Sequence, residues 1–205
     1  VPTALKAYGG RIYAWDESNM YRVDPNNMVL EDISEGIGCI SQNTVVATDQ
    51  GMFFCDKNNI YMHDGQRAKP IGEAILRNTG YDNIPYSDDL RYQKDDGYQV
   101  LVKNAIDNPK WNKPRVWCSY SGATGSFLLG LTSKASGEYI SYIYAYKASF
   151  QRWDKWKIYG DTDELRALFI GPDNETYFSF DNNSNVSPSS GIHRLLGQAV
   201  ASITS

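Results

Sequence analysis

Cysteine, histidine and long apolar runs are all scarce in this 205-residue chain, and each scarcity argues against a class of function. Cys39, Cys55 and Cys118 are odd in number and show no CxxC spacing, which speaks against a disulfide framework or a zinc site. Cys55 closes the strand-like run Met52 to Cys55, where a thiol reads as a small buried hydrophobe. His63 and His193 are the only imidazoles, too few to favour a transition-metal centre or a Ser-His-Asp relay. The longest apolar run lies within Ser126 to Leu131, far short of the ~20 residues of a membrane-spanning helix, so no span is expected. No signal peptide is visible, and a first residue Val1 rather than Met leads us to expect a segment of a longer polypeptide.

Catalytic signatures are missing as well. G-x-S-x-G, HExxH, the P-loop, the dinucleotide fingerprint and the sialidase S-x-D-x-G-x-T-W box do not occur, so neither enzymatic activity nor a cofactor is expected. Carboxylates cluster at Asp88-Asp89, Asp95-Asp96 and Asp161/Asp163/Glu164, where an acid and base pair is conceivable, but their settings are those of solvated turns. Asp56 to Asn59 and Asp181 to Asn185 resemble short calcium loops without the bidentate Glu of an EF-hand, and hairpin turns explain them equally. The Asn-x-Ser/Thr sequons at Asn174, Asn182 and Asn185 are read as turn chemistry too. With 20 Lys plus Arg against 24 Asp plus Glu the net charge is -4, which argues against a protein that coats DNA by neutralising many phosphates and does not exclude a surface that DNA merely passes.

What the chain has in abundance is aromatic residues, 15 Tyr, 7 Phe and 5 Trp, a composition suited to pleated strands. It also repeats. Ile12 to Asp24 (IYAWDESNMYRVD) aligns without a gap on Met52 to Asp64 (MFFCDKNNIYMHD) at an offset of 40 residues, with Asp16/Asp56, Asn19/Asn59, Tyr21/Tyr61 and Asp24/Asp64 identical. Each copy reads as strand, Asp/Asn turn, strand. A weaker third copy runs from Leu168 through the turn Gly171 to Asn174 to Asp181, with a last strand at Ile192 to Leu195.

Further strands are expected at Tyr98 to Val102, Arg115 to Tyr120, Ser126 to Leu131 and Tyr139 to Tyr146. In the last of these, Ile140, Tyr142, Tyr144 and Tyr146 share one face while Tyr139, Ile143 and Ala145 share the other, so both faces should be buried. A short helix is expected over Pro70 to Asn78, and the tail from Ile192 to Ile203 has helix-like spacing interrupted by Gly197.

These features predict an all-β chain forming one domain over residues 1–205. Its form would be a β-propeller-like repeat of four-stranded antiparallel blades with few short helices, in units near 5–35, 36–78, 90–131, 139–160 and 165–196. About five units of ~40 residues make a small ring or part of a ring completed elsewhere. A β-sandwich is the other fold that the turn spacing allows.

Two stretches interleave cations with rings, Lys110 to Trp117 and Arg152 to Lys157, as surfaces for nucleic acid, glycan or protein do; strands with Trp inward give the same pattern. Candidate contact residues are Trp111, Lys113, Arg115, Trp153 and Trp156, with Asn182 and Asn185 from the Asn/Ser-rich loop.

Gly36 to Gly72 resembles a recurrent segment of the tail nozzle proteins of short-tailed bacteriophages, also called tail tubular protein B, and of related virion propeller proteins. The likeness lies in Ile37-Gly38-Cys39, then Ser41 with Thr44-Val45-Val46, the turn at Gly51, Met52 to Cys55, Ile60 to Gly65 and the closing Ile71-Gly72. Tyr8 to Asp24 and Tyr139 to Trp156 look like flanking parts of that family, while the insertion Asp181 to Gly191 departs from it. The resemblance implies a non-enzymatic virion protein of the phage tail. It would form rings with copies of itself, beside tail adaptor and fibre proteins, with DNA as a passenger in transit. A carbohydrate-binding or carbohydrate-cleaving propeller is the alternative that the residues leave open, and a propeller scaffold for protein contacts outside any virus is a third.

Overall fold

The computed structural model describes residues 1–72, 116–135, 138–157, 163–182 and 191–195. Their regular elements are all strands, apart from one 3-10 turn at Gln42–Thr44. The strands fall into four antiparallel sheets, each a meander in which neighbours in sequence are neighbours in space. The first sheet holds β1 (Ala4–Tyr8), β2 (Arg11–Trp15), β3 (Asn19–Asp24) and β4 (Val29–Glu35). The second holds β5 (Val45–Ala47), β6 (Met52–Cys55), β7 (Ile60–His63) and β8 (Ala68–Pro70). The third comprises β9 (Val116–Ser121), β10 (Ser126–Ala135), β11 (Glu138–Lys147) and β12 (Arg152–Lys157). The fourth comprises β13 (Asp163–Ile170), β14 (Thr176–Asn182) and β15 (Gly191–Arg194).

The all-β expectation holds, and the sequence repeat is a structural one. Trp15 pairs with Met20 in the first sheet as Cys55 pairs with Ile60 in the second. The units expected near 90–131 and 139–160 differ from what is found, because β9 and β10 of one join β11 and β12 of the other in a single sheet. The physical reason is the length of the β10 and β11 strands. They pair from Phe127 opposite Tyr146 to Ala135 opposite Glu138, well past the expected strand end at Leu131. Pro70, expected to open a helix, instead closes β8 opposite Tyr61, and Ile71 N–H continues the pairing to Ile60 O at 2.8 Å. The rest of that expected helix, and the expected strand Tyr98 to Val102, lie outside the described residues. The last strand, expected at Ile192 to Leu195, is found at Gly191–Arg194 with Ile192 opposite Ser179, and the tail beyond Leu195 lies outside the described residues.

Three apolar clusters join the sheets in chain order. Tyr13, Trp15 and Met20 of the first sheet pack on Met52, Phe54 and Tyr61 of the second. The second sheet's other face, Phe53, Cys55 and Ile60, packs on Phe127, Leu129, Tyr142, Tyr144 and Tyr146 of the third. Leu128, Ile143 and Ala145 then meet Leu165 and Leu168 of the fourth. The second and third sheets are therefore covered on both faces, and the described side chains of β11 divide as expected: Tyr142, Tyr144 and Tyr146 toward the second sheet, Ile143 and Ala145 toward the fourth. Rings dominate the seams. Phe53 stacks on Phe127 at 4.8 Å between centroids and Trp15 meets Phe54 at 5.2 Å. Full burial of such a side chain contributes roughly 1.5–3 kcal/mol. Polar bonds stitch the same seams, as where Leu165 N–H donates to the buried Ser141 Oγ at 3.0 Å.

Candidate assembly surface

The identities shared by the repeats are turn locks. Asp16 Oδ1 accepts the N–H groups of Ser18 and Asn19, both at 2.7 Å, and its Oδ2 accepts Tyr21 Oη–H at 2.8 Å. Asp56 does the same with Asn58 (2.7 Å), Asn59 (2.6 Å) and Tyr61 Oη (3.3 Å). In the third copy Asp173 accepts Glu175 N–H at 3.2 Å and Tyr177 Oη at 2.6 Å. A side-chain carboxylate thus closes each hairpin and anchors a tyrosine of the outgoing strand.

These donors, the Ser18 amide foremost and then Tyr21 and Asn19, hold the Asp16 carboxyl down at about 2. Burial, helped by Asp56, pushes the Tyr61 phenol up to about 12. The hydrogen bonds of Asp56 to Asn58, Asn59 and Tyr61 make the Asp56 to Asn59 loop a hairpin turn. Among the described residues, no group of three or more His, Cys, Asp or Glu could hold a metal ion.

The three thiols are free and buried. Burial pushes Cys39 up to about 12 and raises Cys118 well above the ordinary thiol range beside Cys55. Thiols so protonated at neutral pH are not nucleophiles.

Of the candidate contact residues, Trp153 is half-buried and belongs to the seam between the second and third sheets. Its indole N–H donates to Ile71 O at 2.7 Å, and its ring meets Tyr146 at 5.0 Å and Phe127 at 6.1 Å. Trp156 stands opposite Ile143 in the ladder, and Asn182 opposite Asp163 at the end of β14. Trp111, Lys113, Arg115 and Asn185 lie outside the described residues.

The surface that reading the residues missed is the outer face of the first sheet. Along the strand pairing, Leu5, Ala14, Tyr21 and Ile33 form one cross-strand row, and Ala7, Ile12, Val23 and Leu30 the next. A register shift after Arg22 brings Leu30 and Ile33 onto the same face although they are three residues apart. Neither row contains a charged residue. Asp16, which accepts the Tyr21 hydroxyl at 2.8 Å, lies at the end of one row, and Glu31 is paired with Arg11 at 2.8 Å and with Arg22 at 3.2 Å. Leu5, Leu30 and Ile33 are about half exposed, at 58%, 50% and 47%. A contiguous apolar sheet face of this kind is a candidate interaction surface. Its signal was present in the sequence as two apolar phases in one strand, Ile12/Ala14 against Tyr13/Trp15.

No helix among the described residues is long and apolar enough to cross a membrane. Comparison of the chain with protein families and with curated proteins gives no match to either.

Proposed function

We propose that the chain is a structural module of a bacteriophage tail, a β-propeller-type stack of sheets in the nozzle or tail-tube wall past which DNA leaves, and that it performs no catalysis. The observation that carries this reading is the fate of Gly36 to Gly72, the segment that resembles nozzle proteins. It forms a connector and one whole four-stranded sheet, gripped on both faces by neighbouring sheets. Its Gly38 lies against the backbone carbonyl of Glu17, where a Cβ would collide, so the Ile-Gly-Cys lead has a packing reason.

The aromatic residues act mainly as inter-sheet packing, and a net charge of -4 gives a wall that does not adhere to phosphates. Copies of the chain, tail adaptor and fibre proteins are its partners in this reading, and the virion is its location. The glycan-binding alternative needs exposed ring platforms; Trp153 is instead engaged with Ile71, Tyr146 and Phe127.

The test is to raise antibodies against the chain and label purified particles of the source virus for electron microscopy, with peptide mass spectrometry of the same particles. Label at the tail end supports the reading. Absence of the chain from particles overturns it.

A further inference from the structure

We propose that the outer face of the first sheet is the seat of a further four-stranded antiparallel sheet of the same 40-residue repeat. That sheet would pack there as the first sheet itself packs on the second. This deepens the stacked-sheet part of the reading above and does not depend on the virion assignment.

The repeat carries over into three dimensions. The 40-residue offset extends beyond the central hairpin, since Leu5 pairs with Ala14 as Val45 pairs with Phe54. Apart from Ile33, whose pairing counterpart Pro70 is exposed, the outer positions of the first sheet therefore have counterparts on the covered face of the second. Leu5 corresponds to Val45, Ile12 to Met52, Ala14 to Phe54, Tyr21 to Tyr61 and Val23 to His63. In the strand pairing Leu30 takes the place of Ala68, because they face Val23 and His63 respectively. The counterparts Val45, Met52, Phe54 and Tyr61 belong to the cluster that the first sheet covers, with Ala68 packed against it, and His63 lies 5.0 Å from the ring of Tyr13.

The contrast in exposure follows from that one difference: Val45 is 6% exposed where Leu5 is 58%. The inner faces agree as well, since Tyr13, Trp15 and Met20 correspond to Phe53, Cys55 and Ile60, which cover the third sheet. Each repeat thus presents one face to the sheet before it and one to the sheet after it. In the first sheet the leading face is complete, and nothing among the described residues covers it. The occupant it fits presents large apolar side chains at the positions of Tyr13, Trp15 and Met20, with few charges, because the face offers none to pair with.

The test adds one repeat. Residues 1–40 are duplicated ahead of Val1 in the full chain, and Leu5→Cys is placed in the original first sheet, with Met28→Cys as a control on an exposed turn (75% exposed). The native thiols Cys39, Cys55 and Cys118 are buried and give a low background. Thiol labelling of the Leu5→Cys position is expected to slow by roughly tenfold or more in the extended chain, because labelling then needs the added sheet to open, while the Met28→Cys rate stays the same. Equal Leu5→Cys rates in both chains, or an added repeat that gains no strand signal by circular dichroism, would overturn the proposal. Concentration-dependent protection of Leu5→Cys in the unextended chain, with dimers by light scattering, would also overturn it, by making a second copy the occupant. Absence of the chain from virus particles leaves this result untouched.

Discussion

Gly130 of β10 lies directly under Leu165 of β13, so close that a Cβ on the glycine would stand 2.5 Å from Leu165 Cδ2. The glycine sits inside the apolar run of the third sheet, between Leu129, which faces the second sheet, and Leu131. A strand interior normally disfavours glycine, so its presence reports the close approach of the fourth sheet.

Gly130→Ala is accordingly expected to destabilise the protein by about 1–3 kcal/mol through overpacking, even though alanine suits a strand better. Leu165→Val in the same chain removes the opposing methyl reach and should recover part of the loss. Urea unfolding of the two single variants and the double variant measures this. Additive losses, with no recovery, would show that the seam does not depend on the pair.

How much of this was legible beforehand follows from which interactions are local. The Asp16 and Asp56 hairpins were readable because their bonds span at most five residues and repeat as identities. β11 was readable as a two-faced strand because its tyrosines alternate with Ile143 and Ala145. The merging of β10 with β11 was not, because Thr132 to Ala135 carry no apolar alternation and the pairing that extends them comes from the partner strand. Trp153 was ambiguous for a related reason. Its acceptor, Ile71 O, is 82 residues away, and nothing near Trp153 in the chain distinguishes a buried indole from an exposed one. The open outer face of the first sheet needed the stack itself, since only the covering of Val45 and Phe54 shows what Leu5 and Ala14 lack.

The two repeated aspartates should differ in their cost. Asp56 is buried, and Asp56→Ala leaves two amide groups and the Tyr61 hydroxyl without their acceptor, so a loss of about 2 kcal/mol or more is expected. Asp16 is more exposed, water can replace its carboxylate, and Asp16→Ala should cost less. Its signature lies in pH. The folded carboxyl is held below its ordinary 3.8, at about 2, so its contribution is full above about 3.8 and is lost as pH falls toward 2. Acid titration of stability with Asp16→Asn in place should flatten the curve in that window; an unchanged acid limb would refute the assignment.

His63 should impose a slope of the same sign at higher pH. Its ring is buried, its Nδ1 accepts Gly65 N–H at 2.9 Å, and the Tyr13 ring meets it in an edge-type contact at 5.0 Å between centroids. Burial, with the Arg22 charge, lowers its affinity for a proton below the ordinary 6.5, against the opposing pull of Asp64 and Asp32. The unfolded chain therefore binds the proton first as pH falls below 6.5, and stability should decrease there; protonation also removes the acceptor for Gly65. His63→Gln keeps an acceptor and has no such titration. Thermal midpoints measured from pH 7.5 down to about 5 should fall more steeply for the native chain than for the variant. Parallel curves would show that His63 does not titrate in this way.

Trp153 provides the test that separates a packing ring from a recognition ring. Trp153→Phe retains most of the contact with Tyr146 and Phe127 but removes the N–H that reaches Ile71 O at 2.7 Å, which ties β12 to the chain leaving β8. Leaving that carbonyl unpaired should lower stability by about 1 kcal/mol, seen as a shift of the urea midpoint at constant m-value. If the indole were instead a binding platform, the variant would keep its urea midpoint and lose binding on a glycan array. The hydrogen bond and the two ring contacts place the expected effect in the folding measurement, because an indole that holds two sheets together is not free to stack on a ligand.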